Sequence, residues 1–212
     1  MVENIAWLGH DSFRITGGEG TIVYVDPWHV ARGAPRADII LVTHDHYDHL
    51  SKDDIDALRT PATVVVGPPE VTGALRGATR TIRPGESLAV KGVTVTAVPA
   101  YNLDKFREPG HVFHPKSDGK VGYVIEIDGR RIYHAGDTDA IPEMSEVSVD
   151  VALLPVSGTY VMTADEAARA CERLRARVVV PMHYGAIVGS IEDAQRFRDL
   201  CPLPVEILPK SD

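Results

Sequence analysis

Residues 38–49 read Asp38-Ile-Ile-Leu-Val-Thr-His44-Asp-His-Tyr-Asp-His49. The first six form an almost continuous apolar run, the pattern of a strand covered on both faces. The next six hold three imidazoles and two carboxylates, a density that packing alone does not require. In an extended turn His44 and His46 point the same way, so both can reach one ion. Asp48 and His49 follow where the chain bends towards a helix and can hold a second. Imidazole and carboxylate donors suit Zn²⁺, and the absence of cysteine ligands argues against a closed structural zinc site.

Working outward, the chain keeps to short strands punctuated by helices. Ser51-Lys-Asp-Asp54 is a capping pattern opening a helix that stops before Pro61. Upstream, Asn4–Leu8, Ser12–Ile15 and Thr21–Val25 are apolar or β-branched runs, and Gly17-Gly18 marks a hairpin between two of them. Downstream, Ala62–Val66, Ser87–Val90, Val93–Val98, Val121–Ile127 and Arg131–His134 continue the strand pattern, with Asp128-Gly129 as a hairpin turn. Asp150–Leu154 and Arg177–Pro181 read as buried strands. Thr163-Ala-Asp-Glu166 caps a helix to about Arg175, and Ser190–Asp193 caps a last one. Residues 101–119 are polar and aperiodic, a loop of functional length. The whole predicts a layered α/β protein.

Two further ligand candidates stand at strand ends. Asp137 follows Tyr133-His-Ala-Gly136, and His183 follows Arg177–Pro181. Either alone is weak, since a single histidine after a strand is more often structural; with the cluster at 44–49 they gain weight. His134 lies three residues before Asp137, so alternation sends it to the opposite face, buried or supporting. Asp26, after an apolar strand, is a candidate to hydrogen-bond a ligand histidine and fix its tautomer. His29 receives no role.

The motif His-x-His-x-Asp-His (44–49), Gly-Asp-Thr (136–138) and the isolated His183 resemble, in order, the metal motifs of the metallo-β-lactamase superfamily. Trp7-Leu-Gly-His-Asp-Ser-Phe13, Tyr24-Val-Asp-Pro27, Leu154-Pro-Val-Ser-Gly-Thr159 and Pro181-Met-His-Tyr184 are similar to the branch that contains ascorbate-6-phosphate lactonase. N-acylphosphatidylethanolamine phospholipase D is a more distant likeness. The resemblance covers nearly the whole chain and implies a four-layer αββα sandwich over residues 1–212 as one domain. It also implies two divalent metal ions, zinc first, with manganese or iron as alternatives. His44 and His46 would bind the first, Asp48, His49 and His183 the second, and Asp137 would bridge. The family's third ligand to the first metal, a histidine after the strand ending at Val98, is missing here, where the chain reads Pro99-Ala-Tyr-Asn102. His114 is the candidate replacement, carried back over the site by the loop 101–119, and His111 comes second. His10 lies in a stretch that is near the metals in this branch.

The implied activity is metal-dependent hydrolysis. A water shared by two ions and acidified towards a pKa of ~7 supplies hydroxide to an ester or lactone, with or without a phosphate. Asp48 and Asp137 would carry the chemistry, and Tyr184, Tyr101 or Lys116 would protonate the leaving group. Lys105, Arg107 and Lys116 in the loop offer positive charge to an anionic substrate. A phosphodiester is the alternative substrate. Readings from other classes are a di-iron redox protein, discriminated by metal content, and a non-catalytic metal-binding module, discriminated by a solvent-closed site.

Bulk properties agree. The chain has 212 residues, 44% hydrophobic, and a net charge of −8, which suits a small-molecule substrate better than a duplex nucleic acid. It has no basic leader and no apolar run of membrane-spanning length, so a cytoplasmic location is expected, and a homo-oligomer stays open. Of the two cysteines, Cys171 reads as a free buried thiol.

Overall fold

The computed structural model describes residues 1–211. Strands β1 (Ile5–Gly9), β2 (Ser12–Thr16) and β3 (Ile22–Val25) form an antiparallel meander. Strands β4 (Ile39–Leu41), β5 (Val64–Gly67) and β6 (Thr79–Thr81) extend it in parallel to a six-stranded sheet. The chain then lays down β7 (Ser87–Val90) and β8 (Val93–Pro99), followed by a small separate hairpin, β9 (Phe106–Glu108) and β10 (His111–Val112). Strands β11 (Val121–Ile127), β12 (Arg130–His134), β13 (Val151–Pro155) and β14 (Val178–Met182) complete a second sheet in the order β14-β13-β12-β11-β8-β7.

Alternation decides which face each residue serves. Ile39 and Leu41 of β4 join Phe13, Val23, Val25, Val95, Tyr123 and Ile125 in one core that unites the two sheets. Ile40 and Val42 turn the other way, onto Tyr24, Leu50, Ile55 and Leu58. The last two belong to helix α1 (Lys52–Leu58), and helix α2 (Pro69–Ala74) adds Val71 to the same cluster. β4 is therefore apolar throughout because both its faces are covered, as its sequence predicts. Tyr123 bridges the sheets at the core, its hydroxyl donating to the Val42 carbonyl at 2.6 Å. Helices α3 (Ala164–Ala170) and α4 (Ile191–Leu200) pack on each other and on β13 and β14. This is the αββα sandwich expected.

The caps at Ser51, Thr163 and Ser190 form as predicted, and Asp128 and Gly129 take left-handed φ of 52° and 72° in their hairpin. The structure departs from expectation in three places. Helix α3 ends at Ala170 instead of about Arg175, because the backbone of Arg175 is drawn out to bond Val147 and Val149. α2 and β6 were not predicted: both are short, and α2 starts from Pro68-Pro69 with no side-chain cap. Residues 101–119 are not an open loop but the β9–β10 hairpin and a one-turn 3-10 segment at Lys116–Asp118. Cys171 is free and buried. Among the described residues no helix is long and apolar enough to cross a membrane.

Candidate metal centre

The carboxyl ends of β1, β3, β4, β12 and β14 deliver His10, Asp26, His44, Asp137 and His183 respectively to one end of the sandwich. Three of these, His10, Asp26 and His183, hold φ of 53°, 45° and 60°. Left-handed backbone at a non-glycine residue costs on the order of 1–3 kcal/mol and persists where the surroundings over-determine it. The chain has turned these residues inward against its own preference.

Two groups of donor atoms form there. The first is His44, His46, His114 and Asp137; the second is His10, Asp11, His49 and His183. In the first, His46 Nδ1 lies 3.4 Å from His114 Nε2, and Asp137 Oδ2 lies 3.9 Å from His44 Nε2 and 3.7 Å from His114 Nε2. Asp137 turns its other oxygen to the second group, with Oδ1 at 3.4 Å from His49 Nε2 and 3.5 Å from His183 Nε2. Donors around a tetrahedral ion with bonds of ~2.0–2.1 Å stand roughly 3.4 Å apart. The spacings run from that value up to 3.9 Å, and all exceed the ~2.7–3.2 Å of a usual hydrogen bond. His44 Nε2, His49 Nε2, His183 Nε2, Asp137 Oδ1 and both Asp11 oxygens are buried without a partner. Buried polar atoms are rarely left so, and six of them converging on one spot fit a pair of cations.

The outer bonds fix which nitrogens face inward. Asp26 accepts from the Thr43 amide (2.7 Å), the Thr43 hydroxyl (2.6 Å) and His49 Nδ1 (2.8 Å). His44 Nδ1 donates to the Thr43 hydroxyl at 3.0 Å, and His183 Nδ1 meets the Ser157 hydroxyl at 2.8 Å. With Nδ1 of all three engaged, their Nε2 atoms are left to converge, the arrangement expected of ligand imidazoles. His134, predicted to turn away, is buried, and its Nε2 donates to the Asp11 carbonyl at 2.8 Å.

Charge divides between the two groups. Burial, reinforced by His49, pushes His44 well below the ordinary imidazole range, and burial takes His114 down to about 4. At His49 burial is outweighed by the carboxylates of Asp137, Asp26 and Asp11, which hold it well above that range. At His183 Asp11 and Asp137 prevail over burial and raise it to about 9. Asp137, despite its burial, is kept far below the usual carboxylate range by His183, His49 and His44. The carboxylates at this end thus favour the protonated form of His49 and His183, and a cation bound there would displace those protons.

The structure brings together His44, His46, His49, His114, Asp137 and His183. Asp48 stands at the rim, its Oδ2 3.1 Å from His10 Nε2 and 3.8 Å from His49 Nε2. It shares a cavity of about 280 Å³ with His46, Tyr47, Arg107, Phe113, His114, Asp137, Tyr160 and Ile187. The centre therefore opens to solvent, unlike the closed site of a structural metal. His111 is exposed on the hairpin. The three expected proton donors are elsewhere. Tyr184 is stacked on Trp7 with ring centroids 4.8 Å apart, and burial lifts its hydroxyl to about 12. Tyr101 donates to Glu143, and Lys116 is paired with the same carboxylate. Asp11 was not predicted from the sequence.

Comparison with known proteins agrees with this geometry. The family model described as a beta-lactamase superfamily domain matches residues 4–183, ending on the last of the clustered histidines. The chain belongs to this superfamily. Its relatives within it include a UPF0173 metal-dependent hydrolase of Symbiobacterium thermophilum, 33% identical over 91% of this chain and 89% of that protein. Another, from Thermococcus onnurineus, is 32% identical over 96% and 94%. The crystal structure of a candidate metal-dependent hydrolase from Parabacteroides distasonis superposes with a TM-score of 0.84 at 30% identity, covering 98% of this chain and 93% of that one. As a member of the metallo-β-lactamase superfamily the chain is a metal-dependent hydrolase.

Proposed function

We propose that this hydrolase cleaves a small anionic ester or lactone, with or without a phosphate, at a pair of divalent ions, zinc first among them. Arg107 carries the substrate reading. It lines the cavity, lies with its guanidinium 5.8 Å from the Phe113 ring centre, and has no carboxylate partner among the described residues. The other basic residues of its segment are engaged: Lys105 with Asp104, Asp139 and Glu166, and Lys116 with Glu143. A cavity of about 280 Å³ falls just below the ~300–1,000 Å³ usual for small-molecule clefts, which suits a small substrate.

His44, His46 and His114 would hold one ion, Asp48, His49 and His183 the other, with Asp137 between them. Bound there, the ions would supply Lewis acidity and a water acidified towards a pKa of ~7. The chain's own residues do the rest. Arg107 fixes the anionic group, while Phe113, Tyr160 and Ile187 cover the apolar body and exclude bulk water. Asp48, hydrogen-bonded through Oδ2 to His10, faces the cavity and is placed to take a proton from the attacking water and return it to the leaving group.

The test is a panel of lactones, aryl esters and phosphodiesters, each in neutral and anionic form, on metal-depleted and reconstituted protein. Phosphodiesters belong in it because a guanidinium binds a phosphate oxygen as readily as a carboxylate. Arg107→Ala is expected to raise KM for anionic substrates about 10–100-fold, the worth of a charge-assisted bond, with kcat nearly unchanged. Wild-type protein that turns over neutral and anionic partners equally well would sink the anion reading. Asp48→Asn is expected to lower kcat by about 10²–10⁴-fold with little change in KM; full turnover in that variant would remove Asp48 from the proton path.

A further inference from the structure

His114 differs from its neighbours in how its ring is held. His44, His49 and His183 each engage Nδ1 with an outer partner, whereas His114 Nδ1 is buried and has none. The ring is nevertheless delivered to the first donor group, with Nε2 3.4 Å from His46 Nδ1 and 3.7 Å from Asp137 Oδ2. It stands just past a hairpin whose strands run three and two residues, too short to hold their end of the chain rigidly by themselves.

What holds it is Asn102. The Asn102 amide donates to the His114 carbonyl at 2.8 Å, and the His114 amide donates to Asn102 Oδ1 at 2.9 Å. Both polar groups of the His114 main chain therefore end on one residue. Asn102 is itself buried, and its Nδ2 donates to the Tyr160 carbonyl at 2.8 Å and to Asp139 Oδ1 at 3.3 Å. Asp139 lies two residues after Asp137, and its Oδ2 accepts from the Leu103 and Asp104 amides at 2.6 and 3.1 Å. Tyr160 lines the cavity, with its ring edge-on to Phe113 and the centroids 4.7 Å apart. Its φ of 68° is left-handed, a conformation that persists where the surroundings impose it. One buried amide thus ties the chain beyond β8 to the loop bearing Asp137, to the cavity wall and to His114. The set requires an acceptor and a donor on the same short side chain. Aspartate supplies only the first and leucine neither.

We infer that Asn102 is the positioning residue of the first metal position, setting His114 through its main chain in place of the outer bond that the ring lacks. The inference rests on the metal reading above and names what makes a histidine carried on a hairpin serviceable as a ligand. Because the same amide holds Tyr160, ligand and cavity wall share one anchor.

The test uses the full chain, stripped of metal by chelation and titrated with cobalt(II), with bound metal read by mass spectrometry and by visible absorption. Wild-type protein is expected to hold two equivalents. Asn102→Ala is expected to weaken one of them about 10–100-fold, the worth of an outer partner of a ligand. The other should stay at wild-type affinity, which also shows that the variant is folded. His114→Ala identifies the affected equivalent. The decisive reading is the two changes combined: the double variant should bind cobalt no more weakly than His114→Ala alone, because the asparagine acts through that histidine. Should the alanine variant fail to fold, Asn102→Asp is titrated in its place. It keeps the volume and the Oδ1 acceptor, gives up both Nδ2 bonds, and is expected to weaken the same equivalent. Additive losses in the double variant, equal weakening of both equivalents, or wild-type affinity in the Asn102 variant would each overturn the assignment. Wild-type protein that binds no cobalt, or His114→Ala that binds two equivalents as tightly as wild type, would instead overturn the metal reading on which it rests.

Discussion

Asp137→Ala should empty both metal positions and take turnover to the uncatalysed background. Asp137 is the residue whose two oxygens face different donor groups, Oδ2 towards His44 and His114, Oδ1 towards His49 and His183. Its loss leaves the first group with three imidazoles and no counter-charge. The expected fall in kcat/KM is more than the ~10³-fold that removal of a single transition-state donor causes, because the groups that would polarise the substrate and activate water leave together. Metal analysis of the purified variant, beside wild type prepared identically, checks it. A variant that retains one full equivalent would show that the two positions fill independently and that Asp137 does not join them.

The second large effect is one of stability. Asp26 is fully buried and accepts from the Thr43 amide, the Thr43 hydroxyl and His49 Nδ1. Asp26→Ala strands three donors at once, one of them on an imidazole that the surrounding carboxylates keep charged. Leaving the partner of a buried ion pair uncompensated costs about 3–5 kcal/mol, and alanine at a φ of 45° adds strain that aspartate tolerates better. Chemical denaturation of the metal-free variant should show that loss, and affinity at the second position should fall a further ~10–100-fold as His49 loses its orientation. An unchanged denaturation midpoint would mean that water takes over all three bonds.

The motifs at 44–49 and 136–138 were legible in the sequence because each candidate ligand lies within a few residues of a strand end, where local pattern fixes both position and direction. The apolar run 38–43 was legible for a related reason: only a strand buried on both faces has that composition. His114 could be named as a candidate, but what brings it to the site is the β9–β10 hairpin, whose three- and two-residue strands have no readable periodicity. Asp11 could not be found that way. Its sequence context is that of an ordinary turn, and its place beside His10, His49 and His183 appears only in the fold. Tyr184 shows the opposite error, proximity in sequence standing in for proximity in space. It follows His183 directly, and its side chain goes to Trp7 while the His183 imidazole turns to the metal centre.

The hairpin segment has two tasks that a single length of chain seldom combines. Arg107 and Phe113 shape the mouth of the cavity, and His114, the very next residue, closes the first donor group. Recognition and metal loading are therefore not separable modules here. A lineage or an engineer that recuts this stretch to admit a different substrate moves an ion at the same stroke. New specificities can arise in this chain only along paths that keep position 114 in register.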